Sequence, residues 1–401
     1  MAQKLLQSPR FFNEFLRAVK KAGLVGEELN ALALFIVVIS RFIQIPLNAF
    51  VKGLSSAGKN FLVKIILAFI PRSALVEITS ASEKAWHYSG SDFRHKVLYM
   101  QERNDAAGSV EPLRLLISEG KVIHIVPRWV GGKLSTKKLV AHGPVASIST
   151  TTKRRLEIDD ENRHVTITMD VRPDQTRKIL KAYTKPKTKI GCDELRVWRT
   201  VQHVLEKRIG TDVLFPSWFE QIEDQLIVND VRVRRYYPAF VEACRTVCLI
   251  RSFQPHRKLT KHGQLEVDFA DFAITALIFD SVFVESLRGS GKVVAGEATR
   301  QVVEEISLSK GRPVRAKDLA RKLGISMDQA YAKLRYAQSA GVIRQANKPE
   351  KSNLKTFLSV PRPRFVPDPE KLFHELRNFD KEVRFIHPVT GGWVVYRRKR
   401  D

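Results

Sequence analysis

The stretch Val51–Asn60 reads Val-Lys-Gly-Leu-Ser-Ser-Ala-Gly-Lys-Asn. Its residue types and spacing suit one chemistry, the grip of a triphosphate. Gly53 and Gly58 permit backbone angles and close approaches that a side chain would block. The main-chain N–H groups of Ser55, Ser56 and Ala57, followed by a helix N-terminus, would turn partial positive charge toward phosphate oxygens. Lys59 would reach the terminal phosphates. Asn60 stands where Ser or Thr ordinarily offers a hydroxyl to Mg2+; its amide oxygen can accept a metal-bound water, a weaker contact. ATP with Mg2+ is the expected cofactor. A Gly/Ser loop ahead of a core helix would look the same without a ligand, and that alternative stays open here.

A second chemical feature lies downstream. Lys96–Met100 is apolar enough for a buried strand and runs straight into Gln101-Glu102. Beyond a phosphate loop, a strand end of this kind places the carboxylate that works beside the metal and orients the attacking water. Glu102 is the candidate for that role, and Gln101 occupies the slot where Asp is commoner. Pro144–Ser149 reads as another buried strand, ending in Thr150-Thr151-Thr152. Hydroxyls there, Thr151 among them, would hold the water or the terminal phosphate. Arg154, Arg155 and Arg163 follow, and an arginine offered to the transferred phosphoryl group from a neighbouring subunit speeds hydrolysis. Each of the three taken alone reads better as a surface cation, but at least one of them is expected to act.

Charge points to a partner. Lys and Arg number 68 against 42 Asp and Glu, a formal net charge of +26. Clustered cations displace counterions from phosphates, so DNA is the expected polyanion. The most apolar run, Ala31–Ser40, is too short for a bilayer span of roughly 20 residues. The start, Met1-Ala-Gln-Lys, carries no secretion signal, and the cysteines are Cys192, Cys244 and Cys248. A cytoplasmic protein without a membrane anchor is the expectation. Cys244 and Cys248 sit four apart in a helical stretch, with His256 and His262 beyond; core packing accounts for them better than zinc.

Elements must position these groups. Ser8–Lys20 and Glu27–Arg41 have helical patterns, the second apolar nearly all round and therefore buried. Phe61–Ile70 is the helix behind the loop, and Ala74–Ile78 a short strand. Lys121–Val126 and Lys137–Ala141 are two strands with a tip, Arg128–Lys133; Arg128, Trp129 and Lys133 in it could touch a phosphate backbone and stack a base. Asp193–Leu287 reads as mostly helical. Near the end, Ala316–Leu323 and Met327–Ser339 are helices about a tight Gly324-Ile325-Ser326 turn, and two wing strands follow, a winged-helix pattern. Tyr331, Lys333 and Arg335 on the second helix would face a phosphate-lined groove. The expected class is α/β: a phosphate-loop core, a helical region and a C-terminal winged-helix domain. The boundaries are 1–45 (N-terminal helices), 46–184 (ATPase core), 185–297 (helical lid or linker), 298–361 (winged helix) and 362–401 (basic tail).

With these pieces in place, the chain resembles the P-loop ATPase module of bacterial primase–helicase proteins of phages and mobile elements. These are AAA+-like enzymes related to superfamily 3 helicases. The resemblance runs from Leu24–Asn30 through Ser40-Arg41, Pro46 and Ser55–Lys59 to Met100–Glu102, Leu113–Gly120, Gly143–Thr152 and Gln175-Thr176. It implies an ATP-dependent DNA helicase or DNA-remodelling ATPase acting as a homo-oligomer, a hexameric ring with the arginine supplied in trans. It also implies that the Arg128–Lys133 tip reaches DNA in a central channel. The three scattered cysteines cannot form the zinc finger that family members often carry, so priming would belong to a separate primase chain. Asn60 and Gln101 depart from the family pattern. They favour the alternatives, a nucleotide-binding loader or switch with little hydrolysis, or a winged-helix regulator.

Overall fold

The computed structural model describes residues 1–78, 92–102, 111–130, 133–153, 156–184, 190–226, 231–257, 259–289, 302, 305–306, 309, 313–339, 343–345, 356–359, 364–377 and 379–398. The chain divides into two units, Met1–Leu287 with Phe365–Asp401, and Arg288–Arg364.

In the first unit three helices come first, α1 (Ala2–Gln7), α2 (Phe11–Lys21) and α3 (Glu28–Ile39). β1 (Asn48–Lys52) and α4 (Lys59–Ala68) flank the glycine loop, and β2 (Leu75–Ile78) and β3 (Lys96–Met100) follow. A hairpin, β4 (Lys121–Val130) with β5 (Lys133–His142), precedes β6 (Val145–Thr151) and β7 (Val165–Thr168). The central sheet runs β2-β3-β6-β1-β7 and all its pairs are parallel. Every residue of β1 and β6 is buried, as expected of a parallel sheet covered on both faces. The register sets Val51 beside Thr150, Lys52 beside both Thr151 and Thr168, and Met100 beside Ser149. The carboxyl ends of β1, β3, β6 and β7 therefore share one edge, where open parallel sheets bind ligands.

The apolar girth of α3 is explained by what surrounds it: Ala31–Ile39 are all buried, and it packs on α2, α4, β1, β6 and β7. Phe15 stacks on Phe35 with centroids 3.9 Å apart, and Trp198 meets Phe15 edge-on at 5.5 Å. Each such ring contributes about 1.5–3 kcal/mol by burial. Trp198 lies on helix Cys192–Glu206, which with Val233–Arg251 and Phe269–Gly289 forms the helical part of the unit. Cys244 and Cys248 are both buried free thiols in the core, and no cluster of metal-binding side chains occurs among the described residues.

The regions read as separate N-terminal, lid and tail segments share one hydrophobic core with the sheet, reaching from Ala2 to Tyr396. The last segment folds into helix Pro369–Glu375 and a hairpin, Glu382–Ile386 with Trp393–Arg397. Phe365 stacks on Phe283 at 4.8 Å. Asn13 Nδ2 donates to the carbonyls of His387 (3.1 Å) and Pro388 (2.9 Å), fastening the hairpin turn to α2.

In the second unit, helices Ala316–Leu323 and Met327–Ser339 flank a turn, with Gly324 in the left-handed region at φ 64°. Ser326 and Gln329 cap the second helix reciprocally, each side chain accepting the other's backbone N–H at 3.2 Å. A three-stranded antiparallel sheet, in the order Val314–Arg315, Thr356–Ser359, Ile343–Gln345, closes over Leu319, Leu334 and Ala337.

Candidate functional site

β1 delivers the chain to the ligand edge of the sheet, and the loop turns there because its conformation is fixed from both sides. Gly53 is pressed by Met169, whose side chain would stand 3.2 Å from a Cβ at that position. The Met169 N–H in turn donates to the Lys52 carbonyl at 3.0 Å. Ser56 and Gly58 have φ of 65° and 85°, so the loop closes through two left-handed residues and Gly58 becomes the N-cap of α4. Leu54, Ser55 and Ser56 are exposed. Lys59 opens the helix and is only 7% exposed. Its ammonium donates to the carbonyls of Gly53 (2.9 Å) and Leu54 (2.8 Å), folding the side chain back over the loop. Burial lowers its pKa, and the charge of Glu102 acts against that shift. Asn60 Oδ1 is buried and meets no donor among the described residues. An amide oxygen left without a partner suits a hard cation or a water bound to it, so the residues present fit Mg2+ at this place.

Glu102 lies in the turn after β3 with φ at 51°, its backbone N–H donating to Thr150 Oγ1 at 3.0 Å. The Glu102 side chain is exposed. Gln101 is half-buried in the same turn. Thr151, expected to hold the water or the terminal phosphate, is 2% exposed and its hydroxyl accepts the Lys153 N–H at 3.1 Å. Arg163 donates to Ser118 Oγ (3.0 Å) and to the Asp159 carbonyl (2.5 Å) of its own chain, both exposed hydrogen bonds. Arg154 and Arg155 lie outside the described residues.

Several residues at this edge were not legible in the sequence. Lys52, the last residue of β1, forms a buried ion pair with Glu161, which also accepts the Leu156 N–H at 3.0 Å. Arg114 clamps Asp160 through Nε at 2.7 Å and also reaches Glu157. The segment before α3 is lashed to the same edge: Glu27 Oε1 accepts the Asp170 N–H at 2.7 Å, and Asn30 Nδ2 donates to the Thr168 carbonyl at 3.0 Å. Gln175 Nε2 donates to the Val25 carbonyl at 2.6 Å. A Cβ at Gly26 would sit 2.3 Å from that amide, at a φ of 67°, so glycine is required there on both counts. These partners are 138 to 150 residues apart in the chain, and no local pattern signals them.

The hairpin departs from its expected form. Its strands run on to Val130 and begin again at Lys133, so Arg128, Trp129 and Lys133 are strand residues opposite Ser135, Leu134 and Val130. Ile123, Ile125 and Leu134 on it are exposed. In the second unit Arg335 is exposed and Lys333 half-buried, whereas Tyr331 packs against that unit's own core. No described helix is long and apolar enough to cross a membrane.

No family model and no curated protein matches the chain. Among solved structures, the chain is similar at a TM-score of 0.26 to the Thermotoga maritima RuvB Holliday junction branch migration motor, 14% identical, covering 86% of this chain and 93% of that one. The Aeropyrum pernix ORC1 protein in complex with DNA aligns at a TM-score of 0.28 and 11% identity, covering 88% and 93%. The NrS-1 C-terminal region aligns at 0.30 and 12%, covering 86% and 76%. TM-scores of this size lie below the range from which a shared fold follows.

Proposed function

We propose that this chain is an ATP-dependent DNA helicase or DNA-remodelling ATPase of a phage or mobile-element replication system. One observation carries the reading: a lysine only 7% exposed, donating to the carbonyls of a strand–loop–helix turn, with no carboxylate paired to it among the described residues. A terminal phosphate entering the loop offers Lys59 a stronger acceptor than either carbonyl. The loop amides and the α4 N-terminus hold the remaining oxygens. Bound Mg2+, next to Asn60 and Glu102, would neutralise charge developing on the phosphates. Glu102, fixed through its N–H to Thr150, orients the water and takes its proton. Arg154 or Arg155, offered across a ring interface, is the proposed trans group. Arg128, Trp129 and Lys133 on the hairpin, and Lys333 and Arg335 on a winged helix, are the proposed DNA contacts, and any primase activity is assigned to a separate chain.

The test is ATP turnover with and without single-stranded DNA, in wild type and in Glu102→Gln. DNA-stimulated turnover that falls at least tenfold in the variant, with nucleotide affinity retained, is the expected result. Turnover indifferent to both DNA and Glu102 rejects the motor. A second reading, a nucleotide-binding loader or switch with little hydrolysis, is favoured by Asn60 and Gln101. Tight ATP binding with negligible turnover on DNA would select it.

The DNA contacts make their own prediction. Lys333→Ala and Arg335→Ala should each weaken DNA binding and reduce the slope of log K against log salt by about 1. Slopes unchanged in both variants would assign that helix to a protein partner.

A further inference from the structure

Away from the phosphate loop, at the amino end of β3, the fold contains an arginine that its own chain leaves underserved. Arg41 is 0% exposed. One guanidinium nitrogen donates to Gln202 Oε1 at 2.6 Å and to the Val38 carbonyl at 3.3 Å, and the group lies 3.9 Å over the Phe42 ring. Nε and the other terminal nitrogen are buried without a partner among the described residues, and no carboxylate forms an ion pair with it there. A buried charge in that condition is costly unless an anion approaches it. Burial drags its pKa down to about 9, and Glu206 acts against that shift.

A cavity of about 230 Å³ is lined by Ser73, Arg94, His95, Lys96, Glu206 and Ile209 among others, and Arg41 lies behind this lining, not in it. Two of its walls lead to Arg41. His95 Nδ1 lies 2.8 Å from the Arg41 carbonyl, and Glu206 stands one helical turn beyond Gln202. Glu206 is turned to His203 at 3.2 Å and not to the arginine. Arg94 is matched by Asp92 through paired contacts of 2.8 and 2.7 Å, which leaves Lys96 in the lining and Arg41 behind it against the single carboxylate of Glu206, one net positive charge.

We propose that this cavity binds a phosphate group, with Lys96 as its direct contact and Arg41 as the buried charge beneath it. The Ser73 hydroxyl and the His95 ring are the neutral donors such a ligand would meet. Its volume suits one phosphate with its attached atoms, either a free phosphate or a phosphodiester of a nucleic-acid backbone. The site lies at the opposite end of the sheet strands from the nucleotide loop and does not depend on what that loop does.

The experiment uses the full chain carrying Lys59→Ala, which silences the loop as a competing phosphate site. Melting temperature is followed against inorganic phosphate, and separately against an oligothymidylate at equal phosphate concentration, at constant ionic strength. The expected result is a rise with ligand that is lost in the added Lys96→Ala variant and grows several-fold in effective affinity in Glu206→Gln, where the repelling carboxylate is gone. A Lys96-dependent rise with inorganic phosphate identifies a free phosphate as occupant, and one confined to the oligonucleotide identifies the backbone. No rise with either ligand, or a rise untouched by Lys96→Ala, overturns the proposal.

Discussion

Lys59→Ala is expected to lower ATP turnover by roughly 100- to 1,000-fold, the usual cost of removing one preorganised charge from a reacting oxyanion. The argument rests on where the ammonium sits. It is almost fully enclosed and spends its hydrogen bonds on the Gly53 and Leu54 carbonyls, both belonging to the loop that would cradle the ligand. No other cation is hydrogen-bonded to the loop among the described residues, so no neighbour can substitute. Stability should change little, because the lysine's burial opposes its charge and the variant removes that opposition. Steady-state phosphate release measures the first effect and a thermal melt the second. Loss of turnover with an unchanged melt supports a phosphate-holding role; turnover equal to wild type would mean the loop grips no triphosphate.

What the sequence yields and what it withholds follows from distance along the chain. The loop is local: Gly53, Gly58 and Lys59 lie within seven positions, and the glycine angles can be inferred from residue type alone. The burial of α3 follows from an apolar run too uniform for a surface helix. Glu102 was legible as a strand-end acid, but its support from Thr150 was not, because 48 residues separate them. Lys52 and Glu161, 109 apart, form an ion pair that no spacing rule suggests. The C-terminal hairpin stays hidden for another reason. Its cations Arg397 and Arg398 dominate the composition, while the residues that anchor it, Phe365, Phe373 and Tyr396, are single aromatics whose partners lie on distant helices. Hairpin length failed likewise: Pro127 and Arg128 discourage a strand reading, yet antiparallel pairing continues through both. The reciprocal cap between Ser326 and Gln329 starts the second helix of that unit just after the turn read from Gly324-Ile325-Ser326.

Asp271→Ala should be the most destabilising single change in the helical part of the first unit, at about 3–5 kcal/mol, the range for breaking a buried ion pair from one side. Asp271 is 0% exposed and serves two guanidinium groups. It pairs with Arg251, and Arg257 reaches its Oδ2 at 2.8 Å. Asp268 is the other carboxylate of the cluster, 2.7 Å from Arg251 and 2.5 Å from Arg257. The two acids also exchange backbone contacts, each accepting the other's N–H, at 2.9 and 2.7 Å, and so start helix Phe269–Gly289. Alanine at 271 would leave two enclosed cations sharing one anion and would remove an acceptor for the Asp268 N–H. With a total stability of about 5–15 kcal/mol for a domain, such a loss is a large fraction of what holds the unit folded. Asp193→Ala is the control: its pair with Arg196 is 3.1 Å long but both side chains are largely exposed, and such pairs contribute about 0–1 kcal/mol. Urea melts of the two variants measure the contrast. If Asp271→Ala shifts the midpoint no further than Asp193→Ala, water or a rearranged Asp268 satisfies both arginines and the cluster does not hold the helices together.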